Sequence, residues 1–199
     1  MDDIVRQALA KWPHVPACYG WLGLDARGNW YMRDDNAQTA GPFAGPSGPV
    51  ADSSSGTPAP GLEPACRAAA KGSLLKHDKL IDFIQRNYEG DAQGQWFFQN
   101  GPQRVYVELE VAPFVWRIAA DFSVAAHTGK PARVQRVVVD ERGRLYLETD
   151  LGFGLVHTQD MTIAADAVEQ GLWVPQELHA SDLGARYGYI CSPQALQKK

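Results

Sequence analysis

The chain has 199 residues, a length that favours one large domain or two small ones. Its 23 acidic and 19 basic residues give a net charge of −4, which argues against a strongly basic nucleic-acid binder or a binder of anionic lipid. Hydrophobic residues make up 45% and charged residues 21%, so the chain can bury a core and is not disordered as a whole.

The sequence indicates a cytoplasmic protein. Its N-terminus begins with acidic residues and lacks the basic and apolar regions of a signal peptide. No segment approaches the roughly 18 apolar residues that a membrane-spanning helix needs. The three cysteines show no CxxC spacing, so we expect neither a disulfide framework nor a metal site, and no motif indicates a cofactor.

The first part of the chain predicts a helix followed by a hairpin. Apolar residues of segment 2–12 fall on one helical stripe. Residues 19–25 and 29–33 are predicted strands, joined by a turn at 25–28. Residues 41–70 contain 5 Gly, 6 Pro and 4 Ser, a composition typical of a flexible insertion.

A second helix is predicted from Ser73 to about residue 87, with His77 on its apolar stripe as a packed core histidine. Strands are predicted at 96–98, 103–111 and 114–118. The middle strand alternates, which places Glu108 and Glu110 on a solvated face.

The remaining residues favour β structure. A hairpin is predicted from 134–140 and 144–150, followed by a strand at 154–158 and a helix at 162–170. Residues from Pro175 should be irregular, with one helical turn at 181–186 and a closing strand at 187–191.

Three segments share the pattern Asp-x-x-Gly followed by large apolar residues: DARGNWYM (25–32), DAQGQWFF (91–98) and DERGRLYL (140–147). Each predicts a tight turn, with its glycine at positive φ, that leads into an aromatic strand. They are either three uses of one favourable turn or a distant duplication of a hairpin.

Several segments of the sequence resemble a known protein family. The segments GWLGLDARGNWYM (20–32), KGS (71–73) with the apolar residues at 80–84, and VELEVAPF (107–114) resemble a bacterial family of unknown function. A related family with a similar order has a small α/β roll followed by a β-roll. The resemblance covers most of residues 18–190 without the insertion. It implies an architecture and no activity.

The best polar cluster is formed by Glu148, Asp150, His157 and Asp160. If residues 152 and 153 form a two-residue turn, Glu148 lies opposite His157 and Asp150 opposite Leu155. A carboxylate beside an imidazole could orient a base or bind a ligand. The alternative is an ordinary cross-strand surface pair.

We therefore expect an α+β fold with two domains. A small N-terminal α/β roll (1–118, with the insertion at 41–70) packs against a C-terminal β-rich roll (119–199), both built from antiparallel hairpins. The many aromatic residues exceed what one small core needs, which favours a non-catalytic binding module for a protein or small ligand. The alternative is an enzyme that uses Glu148 and His157. The sequence does not predict the oligomeric state.

Overall fold

The computed structural model describes residues 1–44 and 69–197, and everything below refers to these residues. The first sheet lies in the N-terminal half. Its strands are β1 (Cys18–Leu24), β2 (Trp30–Met32), β3 (Ser73–Leu74), β4 (Tyr88–Gly90), β5 (Trp96–Asn100) and β6 (Gln103–Leu109). They are ordered β3-β2-β1-β6-β5-β4, and β1 runs parallel to β6 while the other pairs are antiparallel.

The second sheet follows in the C-terminal half. Its strands are β7 (Phe114–Ile118), β8 (Val124–Ala126), β9 (Pro131–Ala132), β10 (Val134–Val139), β11 (Leu145–Thr149), β12 (Gly152–Val156) and β13 (Pro175–Glu177). They are ordered β13-β10-β11-β12-β7-β8-β9. Two neighbouring pairs are parallel, β7 with β12 and β10 with β13.

The helices lie between and after these strands. They are α1 (Asp3–Lys11), α2 (Asp35–Ala40), α3 (Asp78–Arg86), a 3-10 turn (Thr158–Asp160), α4 (Met161–Glu169), α5 (Ala180–Tyr187) and α6 (Pro193–Gln197). The predicted α+β fold with a β-rich C-terminal part is confirmed. Within the described ranges, no helix has the length and apolar character needed to cross a bilayer.

Both sheets contribute to one buried cluster. Leu22 and Val107 from the first sheet belong to it together with Val138 and Leu147 from the second. The predicted boundary after residue 118 would place β7 in the N-terminal domain, but β7 is hydrogen-bonded within the second sheet. The division into two domains stays a prediction.

The start of the second predicted helix is wrong. Ser73 lies in β3, and the strand pairing continues as the Leu75 amide donates to the Trp30 carbonyl oxygen. The helix begins at Asp78 because His77 caps it, with Nδ1 accepting from the Leu80 amide at 3.2 Å. His77 is exposed, so it is not the packed core histidine that the sequence predicted.

Two predictions near the C-terminus are also wrong. Residues 175–177 form an edge strand rather than irregular chain. Residues 187–191 form no strand, because α5 continues to Tyr187 and Gly188 ends it in the left-handed conformation. The segment that follows is held by separate hydrogen bonds, from Ile190 N to Gly94 O and from Leu109 N to Cys191 O.

Most of the predicted insertion, residues 45–68, lies outside the described residues. Its two ends are ordered around Arg33, whose side chain is fully buried. The Arg33 guanidinium donates to Gly41 O at 2.7 Å, before the undescribed segment, and to Ala70 O at 2.9 Å, after it. It also donates to Gly20 O of β1 at 3.2 Å. Backbone carbonyl oxygens thus compensate the desolvation of this cation.

The three predicted Asp-x-x-Gly turns are confirmed. Gly28, Gly94 and Gly143 have φ of 83°, 80° and 72°. In each turn one oxygen of the aspartate accepts from the backbone amides two and four residues later. The third turn, residues 140–144, joins β10 to β11 and forms one wall of the site described next.

Candidate functional site

The predicted Glu148–His157 pair does not form. The β11–β12 register places Glu148 opposite Phe153, and His157 lies beyond the end of β12. The connection is a two-residue turn at 150–151 rather than at 152–153. The predicted register is therefore wrong.

Thr149 explains why the turn lies at residues 150–151 and not at 152–153. Its hydroxyl oxygen accepts from the Leu151 amide at 3.0 Å, and the hydroxyl donates to Gly152 O at 3.1 Å, which closes the chain around residues 150–151. Asp150 consequently faces away from β12, and its carboxylate accepts from the Arg133 amide at 2.8 Å.

Glu148 and His157 each have other partners. Glu148 forms an ion pair across to β10, with 3.5 Å between its Oε2 and Arg136 Nη1. His157 caps the 3-10 turn, with Nδ1 accepting from the Gln159 amide at 3.1 Å. Burial lowers the pKa of His157, and the nearby Arg117 lowers it further. These contacts fix structure rather than assemble a reactive pair.

Asp160 is the most strongly bound member of the predicted cluster. It accepts from Arg117 Nε at 2.7 Å, from Arg117 Nη2 at 3.1 Å and from the Ile118 amide at 3.0 Å. The hydrogen bond from Arg117 lowers the pKa of Asp160. In the ranges that the structure covers, no group of three or more His, Cys, Asp or Glu could hold a metal ion. A ligand-binding role for the four residues stays a prediction.

The prediction that Glu108 and Glu110 lie on a solvated strand face is only partly correct. Glu108 is 2% exposed, because the C-terminal segment covers it: its carboxylate accepts from Ser192 Oγ at 2.5 Å and from the Gln194 amide at 3.0 Å. Glu110 is half-buried. Its Oε2 accepts from the Ala26 amide and from Lys71 Nζ, both at 2.9 Å.

A cleft of about 650 Å³ lies where the 140–144 turn, helix α5 and the segment after β6 meet. We call it the Arg144 cleft. Residues that line it include Arg144, Tyr146, Leu183, Tyr189 and Cys191. Its volume is in the range of small-molecule sites.

The floor of the Arg144 cleft is aromatic. Tyr146 and Tyr189 line it, and Phe153, which is not a lining residue, stacks on both, with 5.5 Å between its ring centroid and that of Tyr146 and 5.9 Å to that of Tyr189. Leu183, at 1% exposed, adds an aliphatic surface from α5. Such a floor suits the flat apolar body of an organic molecule.

Asp140 orients the polar groups beside this floor. Its Oδ2 accepts from Arg144 Nε at 2.7 Å and from the Tyr146 hydroxyl at 3.0 Å. Burial alone would raise the pKa of Asp140, but the hydrogen bonds from Arg144, Tyr146 and Arg142 outweigh it and hold the pKa below its ordinary value. Burial in turn raises the pKa of Tyr146. Arg144 is therefore held by one nitrogen, while its two terminal nitrogens make no hydrogen bond to the described residues.

Tyr189 brings a second free donor into the cleft. It is 7% exposed, yet its hydroxyl has no hydrogen-bond partner in the described ranges. Burial raises the pKa of Tyr189, and the neighbouring Cys191 raises it further, whereas Arg144 opposes the shift. These two neighbours also line the cleft, so the hydroxyl belongs to its polar part.

The Cys191 thiol is not activated. Burial raises its pKa to about 11, and Glu108 contributes to the shift. Its Sγ contacts Val111 O at 3.5 Å. Nucleophilic cysteines depend on a lowered pKa, so the raised pKa of Cys191 does not favour a nucleophilic role.

The similarity of this chain to a known protein family extends over nearly its whole length. A family model, DUF2944, described as "Protein of unknown function (DUF2946)", matches residues 1–194. This chain belongs to that family. The resemblance to a family of unknown function is thus confirmed. No curated protein matches the chain.

This member of the family is also similar to one solved structure, a DUF1285 family protein from Silicibacter pomeroyi DSS-3. The two chains share 11% sequence identity, and the match covers 83% of this chain and 84% of that one with a TM-score of 0.45. At that similarity, the match supports no conclusion about this family member.

The sequence located one wall of the Arg144 cleft but not the cleft itself. The DERG motif correctly predicted the turn that carries Arg144. Tyr189 lay in a supposed closing strand, and its approach to Arg144 depends on packing between residues about 45 apart in the chain. No local pattern contains that information.

Proposed function

We propose that this protein is a non-catalytic binding module that holds a small organic ligand in the Arg144 cleft. The observation that carries the proposal is the Tyr189 hydroxyl. It belongs to a residue only 7% exposed, lines a cavity of about 650 Å³ and has no partner in the described part of the chain. The hydroxyl oxygen itself is accessible from the cleft, so it can form a hydrogen bond to a ligand there.

The cleft residues whose pKa values are shifted favour a role in binding over a role in acid–base catalysis. The pKa values of Tyr146, Tyr189 and Cys191 are raised by burial. The pKa of Glu141 is lowered, first by the hydrogen bond from the Ala180 amide. A general acid or base works best with a pKa near the operating pH, and these shifts all lead away from neutrality.

The alternative enzyme at Glu148 and His157 has less support. The two residues are not opposite each other, and each has a structural partner, Arg136 and the Gln159 amide respectively. A protein partner, the other kind of binding that the sequence predicts, stays a prediction.

Blocking the cleft tests the proposal. Ser181 is exposed and lines the cleft, so Ser181→Trp would fill it without touching the core. We expect a thermal-shift screen of the full chain against a metabolite library to find ligands that raise the midpoint of unfolding, and Ser181→Trp to abolish that shift.

Ala185→Trp is the matched control, because Ala185 is exposed on the same helix and does not line the cleft. It should bind as the parent does. Ligands whose stabilising effect is the same in both tryptophan variants would bind elsewhere and contradict the proposal, as would a library without any stabilising compound.

The proposal includes a cytoplasmic location. It is supported by the state of the two described cysteines, Cys18 and Cys191, which are both free thiols, as is usual in reducing compartments. Cell fractionation of the tagged full chain tests this, and recovery in a membrane or periplasmic fraction would contradict it.

A further inference from the structure

We infer that the ligand of the Arg144 cleft is a small aromatic acid, whose carboxylate binds the terminal nitrogens of Arg144 and the Tyr189 hydroxyl. The inference rests on the proposed function, since it names the ligand class of the same cleft. Three features of the cleft support it: the two terminal nitrogens of Arg144, the Tyr189 hydroxyl, and the partners that the acidic residues around the cleft already have.

Arg144 provides the cation in a fixed orientation. Asp140 Oδ2 binds Nε at 2.7 Å and leaves both terminal nitrogens without partners among the described residues. A guanidinium binds a carboxylate through two parallel N–H donors, a planar geometry that a single lysine cannot provide. The turn that carries both residues also fixes the backbone of Arg144, whose amide donates to Asp140 Oδ1 at 2.9 Å.

Tyr189 provides a third donor. Its ring stacks on Phe153, so the ring has little freedom to move and the hydroxyl has a fixed position. Because the raised pKa of Tyr189 keeps the hydroxyl protonated, it can donate to an anionic oxygen.

The acidic residues at the rim are already neutralised. Glu110 accepts from the Ala26 amide and from Lys71, each at 2.9 Å. Glu141 accepts from the Ala180 amide at 2.9 Å and has Arg142 Nε at 3.7 Å. Each of these carboxylates thus has a cation beside it, Lys71 for Glu110 and Arg142 for Glu141, so they oppose the binding of an anion less than unpaired carboxylates would.

The rings of Tyr146 and Tyr189, which line the cleft, select the rest of the ligand. An aromatic body can lie on this floor while its carboxylate reaches the donors at one end. An aryl phosphate shares the chemistry of an anion on an aromatic ring, but it carries more charge than Arg144, which already pairs with Asp140, can balance.

Isothermal titration of the full chain with benzoate, benzamide and phenyl phosphate tests the inference. We expect benzoate to bind, benzamide to bind about tenfold more weakly because it lacks the charge, and phenyl phosphate to bind more weakly than benzoate. Tyr189→Phe should weaken benzoate about fivefold to tenfold, since it removes one hydrogen bond to a charged group. Tyr187→Phe is the matched control, because it removes a hydroxyl without a partner from a residue that does not line the cleft. It should leave benzoate binding unchanged.

The outcomes separate this inference from the proposed function. Binding of benzoate that Ser181→Trp abolishes and Tyr189→Phe leaves unchanged would overturn the inference alone, as would tighter binding of phenyl phosphate or benzamide, or no binding of benzoate while other ligands still depend on the open cleft. Binding that Ser181→Trp leaves unchanged would overturn both.

Discussion

His127 shows how packing can determine the protonation of a single residue. Its ring lies among Trp30, Tyr88 and Phe114, at centroid distances of 5.7, 5.9 and 6.0 Å. Nδ1 accepts from the Val115 amide at 3.2 Å, so the neutral ring carries its proton on Nε2, which is shielded and unpartnered in the described structure. Burial lowers the pKa of His127 from 6.5 to about 3, and the charge of the Asp25 carboxylate opposes this shift.

This shift predicts that acid destabilises the fold. Between pH 6.5 and about 3 the unfolded chain binds a proton at His127 that the folded chain does not. The stability that the neutral His127 contributes is therefore fully present above pH 6.5. As the pH falls below 6.5, the free energy of unfolding decreases by about 1.4 kcal/mol per pH unit. Urea denaturation over a pH series should show a slope in this window that His127→Leu reduces by that amount.

Val115→Ala is the control for the His127 prediction. It removes a buried side chain from the same strand and adds no titrating group, so it should lower stability by a similar amount at every pH. An identical pH slope in His127→Leu and the parent would contradict the prediction.

Among the elements, hairpin turns were the most predictable feature, because their chemistry is local. An aspartate at the first position and a glycine at the fourth identified three of them. Two further turns, at 119–123 and 126–130, use the same backbone hydrogen bonds but begin with alanine, and in one of them Phe122 takes the left-handed position with φ of 63°. Neither turn begins with the aspartate that identified the other three, although the turn at 126–130 keeps the glycine, Gly129, at the fourth position with φ of 77°.

Turn aspartates should differ in importance according to their partners. Asp91 accepts from the Gln93 and Gln95 amides and from the Tyr106 hydroxyl, at 2.9 to 3.1 Å. We expect Asp91→Ala to lower the free energy of unfolding by about 2 kcal/mol, because three donors lose their acceptor. Chemical denaturation measures this.

The comparison is Asp121→Ala, at a turn where the exposed aspartate bonds only Ser123. Its cost should stay below about 1 kcal/mol, since water replaces the lost acceptor. Equal costs for the two variants would show that the Tyr106 contact and the burial of Asp91 contribute nothing.

The registers and helix ends that the sequence did not predict were decided by competing local bonds. Thr149 moved the β11–β12 turn two residues earlier, and His77 capped a helix that hydrophobic spacing alone would have begun at Ser73. Periodicity identifies an element and its buried face. It does not show which side chain closes the end.

At the scale of the whole molecule, long-range pairing was beyond the sequence. The parallel contacts β1–β6, β7–β12 and β10–β13 join segments distant along the chain, whereas every predicted hairpin joined neighbours. The C-terminal segment adds further long-range contacts. It covers Glu108 on β6, and Gln194 Nε2 donates to Gln38 Oε1 at 2.7 Å.

Removing the C-terminal segment should therefore destabilise the molecule. Truncation after Cys191 deprives the Glu108 carboxylate of the Ser192 hydroxyl and the Gln194 amide, and we expect a loss of about 3 kcal/mol in the free energy of unfolding. Guanidinium denaturation measures the loss. Truncation after Gln197 keeps both donors and should have the parent's stability, and a similar loss in both truncations would contradict the role of Glu108.

The buried Arg33 has a practical consequence for engineering. One guanidinium binds the carbonyl oxygens of both Gly41 and Ala70, so these two residues, one on each side of residues 45–68, lie close together. The two ends are positioned by groups outside residues 45–68. A reporter domain whose own termini lie close together could be spliced in at that position, and the strand registers on either side would have no reason to change.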